Sequence, residues 1–211
     1  MFKGLFRPDS GLMIAMTQVT DCIFLSLFFM IGCVPVVTMG ASFAALYDAA
    51  YRVYRRGEKH PWMRFLHVFR TNWKAGILPT LVFFAAVWGL GKTMILIWNA
   101  AVAGTVSWTL FAGAALVAVL LVGVLSVLFP MLSRFENPVG ALLKNTVVLA
   151  LANVPRTLVL GIVNTLTAFL CIRLVIPLFV LPALVALLDS LLIEPMFKPY
   201  MPEEPEEEAA E

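Results

Sequence analysis

From Trp108 to Leu132 the chain runs for 25 residues without a charged side chain. A helix of that length rises about 37 Å at 1.5 Å per residue, more than the roughly 30 Å hydrocarbon core of a bilayer. Backbone amides in lipid must be paired within the segment, so a helix is the structure such a run permits. Other apolar runs precede and follow it, and a content of 61% hydrophobic and 13% charged residues departs from that of a soluble domain. The predicted class is all-α: a polytopic membrane helical bundle of about five transmembrane helices with amphipathic interfacial helices, as one domain over residues 1–200. Spans are expected at about 17–37, 75–100, 108–132, 157–172 and 174–192. Interfacial helices are expected at about 42–57, 61–74 and 139–153. The last of these is too short for a confident crossing and reads as interfacial or re-entrant, opened by Asn137 as cap and Pro138. Residues 201–211 form a disordered acidic tail by composition: six of the thirteen acids lie in the last nine positions.

The junction after the first span is CVPVVTMGASFAALYDAAYRVYRR, Cys33 to Arg56. Pro35, Thr38, Gly40 and Ser42 make up a predicted structural switch from membrane helix to surface helix. Pro35 cannot donate its amide, Gly40 tolerates unusual dihedrals, and Ser42 suits an N-cap. In the helix that follows, Phe43, Tyr47, Tyr51 and Tyr54 share a face, and Asp48 stands four residues before Arg52. Arg55 and Arg56 complement the dipole of the last turn, with Gly57 as C′ residue. From Pro61 to Lys74 a second amphipathic helix carries Trp62, Phe65, Phe69 and Trp73 as an aromatic stripe, with Arg64, His67, Arg70 and Lys74 on other faces. The predicted docking surface, for a partner or the membrane surface, is Tyr47, Tyr51, Arg52, Arg55, Arg56, Trp62, Phe65, Phe69, Arg70 and Trp73. Packing beneath the bundle is the competing use of the same side chains. Nucleic acid is not expected, because these helices are tethered between spans and carry no nucleic-acid-binding motif.

Four polar residues fall inside or beside the spans. Asp21 near the start of the first has a solvated or capping role open to it as well as a functional one. Lys92 in the far half of the second is placed to snorkel outward, the alternative being an ion pair with Asp21. Asn164 and Asp189 suit interhelical hydrogen bonding and interfacial solvation. Together the four are the possible intramembrane polar site. Gly113 and its small neighbours would permit close helix approach in the third span, and Pro130 with the Ser133-to-Pro138 segment would return the chain to water. Cys22, Cys33 and Cys171 show no CxxC spacing, and His60 and His67 at i, i+7 form no clamp, so neither metal nor cofactor is expected. No P-loop, HExxH, GxSxG or GxGxxG pattern occurs at a useful place, and an enzyme is not expected.

The run PVVTMGASFAALY, with a long apolar helix before it and a basic helix and FLHVFRTNWK after it, resembles the YesL-like family of bacterial membrane proteins, an uncharacterised domain. The resemblance extends through the later apolar segments to MFKPY. It implies a genomic setting with carbohydrate ABC importers and polysaccharide utilisation, and it supplies no active-site residues.

Cations concentrate between the first and second spans, with Arg134, Lys144 and Arg156 between the third and fourth and Lys198 after the fifth. The positive-inside rule then places the C-terminus in the cytoplasm and the N-terminus outside the bacterial cell membrane; a first segment that does not fully cross would move the N-terminus inside without altering the rest. Two functions are compatible with these features. One is an accessory or interaction partner of a carbohydrate ABC import system, or of an associated sensor kinase, docking through its cytosolic aromatic-basic helices. The other is a small-solute transporter or channel, which would gather Asp21, Lys92, Asn164 and Asp189 around a cavity.

Overall fold

The computed structural model describes residues 11–56, 60–135, 138–174 and 176–200, and of residues 11–15, 54, 56 and 176 the backbone alone. The predicted caps at Gly57 and Asn137 and the acidic tail lie outside these residues. The described chain is all-α: α1 (Gly11–Cys33), α2 (Met39–Arg56), α3 (Pro61–Asn72), α4 (Ile77–Val102), α5 (Trp108–Arg134), α6 (Val139–Ala152), α7 (Val154–Arg173) and α8 (Leu181–Phe197), with short 3₁₀ turns. Four of them, α1 from Met16, α4, α5 and α7, are long and apolar enough to cross a membrane.

The break after α1 is built by Pro35 and Thr38. A 3₁₀ turn at Val36–Thr38 follows the proline, and the Thr38 hydroxyl donates to the Gly32 and Pro35 carbonyls at 2.8 Å each, satisfying acceptors at the frayed helix end. The turn is complete earlier than predicted, so α2 begins at Met39. Ser42 is therefore not its N-cap: it lies inside the helix and donates back to the Thr38 carbonyl at 3.1 Å. Gly40 is also within the helix, and its smallness serves close approach. A Cβ there would stand 2.3 Å from Thr80 Oγ1 and 2.7 Å from a Phe129 ring carbon. The Gly40 amide instead donates to Thr80 Oγ1 at 3.0 Å, and that hydroxyl donates to the Gly76 carbonyl at 2.6 Å, tying the start of α2 to the start of α4.

The α2 helix is the hub of the bundle. Ala41, Ala44, Ala45, Ala49 and Ala50 are wholly buried, and these short side chains let α1, α3, α5 and α8 close around it. Phe43 packs edge-on to Phe29 at 4.8 Å and stacks on Phe129 at 5.3 Å. Two apolar clusters result, one joining α2 to α5, α6, α7 and α8, the other joining it to α1, α3 and α8.

Later elements depart from the predicted boundaries for local reasons. The α5 helix runs past the predicted end at Leu132 to Arg134, with Pro130 buried inside it. Pro177 lies in a 3₁₀ turn at Ile176–Phe179, and α8 starts only at Leu181, with Pro182 in its first turn, where an amide would have no intrahelical partner. At 17 residues, α8 is shorter than the four long helices. Close approach in the middle of the bundle is made at Gly123 and Gly161 and not at Gly113. A Cβ on Gly123 would fall 2.0 Å from the Thr157 carbonyl oxygen, and one on Gly161 the same distance from that of Val119, while one on Gly113 would meet nothing within 4 Å. Backbone thus lies on backbone between α5 and α7. The opposite ends of α4 and α5 join through Ala103–Val106, where Ser107 Oγ caps α5 by accepting from the Thr109 amide at 3.3 Å. Trp98, Trp108 and Phe111 cluster there with ring centroids 5.4–6.1 Å apart, a grouping suited to a headgroup layer.

Candidate functional site

Asp48 is the centre of a charge network inside the bundle. Its side chain is 1% exposed, since it projects from the middle of the alanine stripe of α2 (Ala41, Ala44, Ala45 and Ala49) into the seam with α3 and α5. The predicted partner Arg52 is present, Nε to Oδ2 at 3.4 Å. Two cations from other helices join it: Arg64 of α3 donates from Nε at 2.5 Å, and Arg134 Nη1 lies 3.4 Å from Oδ1.

Arg134 is itself 9% exposed. Its Nη2 donates to Glu194 Oε1 of α8 at 2.7 Å, and its guanidinium carbon lies 4.2 Å from the centre of the Tyr51 ring, close enough for cation–π attraction. Its Nε is buried without a hydrogen-bond partner among the described residues. Glu194 Oε1 also accepts from the Tyr47 hydroxyl at 3.0 Å. Burial, with the Glu194 carboxylate next in weight, pushes the Tyr47 phenol well above its ordinary value, so it stays protonated and keeps donating. Three guanidiniums thus meet two carboxylates, and α2, α3, α5 and α8 are held in one register.

This arrangement divides the predicted docking residues. Tyr47 is 3% and Phe65 2% exposed; Tyr51 and Arg52 are half-buried, and Phe69 is half-buried and stacked on Phe65 at 6.1 Å. Tyr47 and Phe65 are thus interior, and Tyr51, Arg52 and Phe69 are packing and network residues that stay partly exposed at the seam where α3 lies against α2. Arg55, Trp62, Arg70 and Trp73 do face outward, joined by Met63, His67 and Lys74, whose ammonium stands 5.3 Å from the Trp73 ring. The Arg56 side chain lies outside the described residues.

The four intramembrane polar residues do not converge. Among the described residues no ion pair joins Asp21 to Lys92. Asp21 is half-buried on α1, and Lys92 is exposed on α4 with its ammonium 5.0 Å from the Trp88 ring. Asn164 and Asp189 do meet: the Asn164 amide donates to both Asp189 oxygens at 3.0 and 3.1 Å and to the Leu160 carbonyl at 3.0 Å. The pair lines a cavity of about 420 Å³, walled by Phe43, Phe83 and Phe129 from α2, α4 and α5 and by Ser126 of α5. Thr165 and Ala168, exposed on α7, stand at its rim. Among the described residues no three His, Cys, Asp or Glu side chains gather in a group able to hold a metal ion.

Sequence reasoning missed the network because only one of its pairs is local. The burial of Asp48 had a signal, its place in the spacing 41, 44, 45, 48, 49 of a small-residue stripe. Arg134 and Glu194 had none. Comparison with curated proteins and with solved structures finds no match. Residues 22–92, from Cys22 in α1 to Lys92 in α4, match the model of a family described as "Protein of unknown function, DUF624".

Proposed function

We propose that the chain is a non-enzymatic membrane protein of the YesL-like kind that serves as an interaction partner, offering the outer face of α3 to another protein at the cytoplasmic side of the bacterial cell membrane. The observation that carries this reading is the division of charge around α2. Asp48 and Glu194 are spent inside the bundle, while Arg55, His67, Arg70 and Lys74 stay outside beside Trp62 and Trp73. A rigid base with an aromatic and basic exterior suits docking, since Trp and Arg contribute disproportionately to interface energy. The resemblance to the YesL-like family makes a subunit of a carbohydrate ABC importer, or an associated sensor kinase, the proposed partner.

The test is photocrosslinking in native membranes from probes at Trp62 and Arg70. Importer or kinase subunits should be captured, and an Arg70→Glu, Trp73→Ala variant should reduce their yield at least fivefold. Capture of lipid alone from both positions rejects the proposal.

A second reading is favoured by the Asn164–Asp189 pair at the edge of a cavity: the bundle binds or conducts a small solute there. Vesicles containing the protein should then show solute flux that Asp189→Asn abolishes. Flux unchanged by that substitution removes Asp189 from the route.

A further inference from the structure

The Asp189 carboxylate is 7% exposed, yet among the described residues no lysine, arginine or histidine pairs with it. Its hydrogen bonds come from one amide nitrogen, Asn164 Nδ2, which is shared with the Leu160 carbonyl. A carboxylate offers about four acceptor positions, so capacity is left over on the cavity side. An uncompensated buried charge is costly, and a cation placed beside it recovers that cost. Asp48 illustrates the contrast within the same molecule: equally buried, it is met by three guanidiniums.

The cavity walls restrict which cation fits. Phe43 lies 5.3 Å from Phe129 and 6.3 Å from Phe83, and Phe83 lies 5.2 Å from Phe129, between ring centroids. The lining also holds the neutral hydroxyls of Tyr47, Ser126, Thr165 and Thr167, spread over three helices, but Asp189 is its one carboxylate, too little charge for a hard inorganic cation, and the phenylalanine wall offers no oxygen. A sugar would leave most of its hydroxyls unpaired against it. An organic ammonium with an apolar, ring-bearing body satisfies both ends, with charge on the carboxylate and body against the phenylalanines. The volume of about 420 Å³ is within the range of small-molecule sites, and the rim at Thr165 and Ala168 gives access from the outer surface of α7.

We propose that this cavity is a binding site for a monocationic aryl-alkyl amine, with the ammonium on Asp189 and Asn164 orienting the carboxylate. The inference deepens the solute-site reading by naming its ligand class, and equilibrium binding tests it apart from flux. Amine binding without flux rejects transport and leaves the site intact.

The experiment uses the full chain in lipid nanodiscs titrated with 4-phenylbutylamine and with 4-phenylbutan-1-ol, which matches the amine in size but carries no charge. The amine should bind at least tenfold more tightly. Asp189→Asn should erase that preference while leaving the affinity for the alcohol unchanged. Val122→Trp, which adds bulk to the cavity wall without touching the carboxylate, should weaken both probes at least tenfold and provides a second variant if Asp189→Asn fails to fold. Equal affinity for the two probes in the unmodified protein overturns the proposal, as does no binding of either, or a preference for the amine that survives Asp189→Asn.

Discussion

Asp48 and Arg134 are the residues on which the interior depends most. Removing one member of a buried pair leaves the other as an unmatched charge, at a cost of about 3–5 kcal/mol. Asp48→Asn should therefore lower the unfolding free energy in detergent by about that amount, because Arg134 keeps only Glu194 and the Tyr51 ring as partners. Arg55→Gln, which removes an exposed cation, should change it by less than about 0.5 kcal/mol. Equal effects of the two substitutions, read from equilibrium denaturation, would remove Asp48 from the centre of the network. Part of this was legible in the sequence. The i, i+4 pair of Asp48 and Arg52 was correctly read as a pair, whereas the alanine spacing around Asp48, the signal of its burial, went unread. The contacts of Glu194 with Tyr47 and Arg134 span 147 and 60 positions, and no local pattern encodes contacts of that range.

Among the elements, helix existence followed directly from apolar length and from the aromatic-basic periodicities. Helix ends depended on chemistry that periodicity does not resolve. Pro130 and the residues after Ser133 were read as returning the chain to water, yet α5 runs on past Pro130, which withholds an amide from the Ser126 carbonyl, and the last turn is what delivers Arg134 to Asp48. Aromatic periodicity on α2 and α3 was also visible, but a stripe of rings looks the same whether it faces a partner, a headgroup layer or a neighbouring helix. The α5–α7 contact gives a test at this scale. Gly123→Ala pushes a methyl group against the Thr157 backbone and should destabilise by about 1–3 kcal/mol, as overpacking does. Gly113→Ala meets open space and should be neutral or slightly stabilising, because alanine favours helix. Thermal unfolding of both variants decides whether the close approach is at Gly123 or is spread along the helix.

At the scale of the whole molecule, the class of fold was the most legible property, since a bilayer leaves few alternatives for long uncharged runs. The candidate site was less legible because it depends on which helices become neighbours. The bundle is also uneven: 6% of the residues in the apolar stretch of α4 are buried, against 39% in that of α5, so α4 stands at the edge, held at Thr80 and Phe83. If the cation distribution sets the orientation as proposed, a cysteine replacing Arg70 should react with a membrane-impermeant maleimide in inside-out vesicles and not in intact cells. The reverse pattern would invert the assigned sidedness.

The charge network also has a place in time. Asp48 is synthesised early, when Arg52 and Arg64 are soon at hand, whereas Arg134 arrives with α5 and Glu194 only with α8, the last of the described α-helices. A nascent chain that has made α5 but not α8 holds a buried guanidinium with one of its two carboxylates. Final closure of the bundle is therefore tied to translation of its distal end, and a ribosome stalled before Glu194 leaves three guanidiniums facing one carboxylate where the closed bundle supplies two.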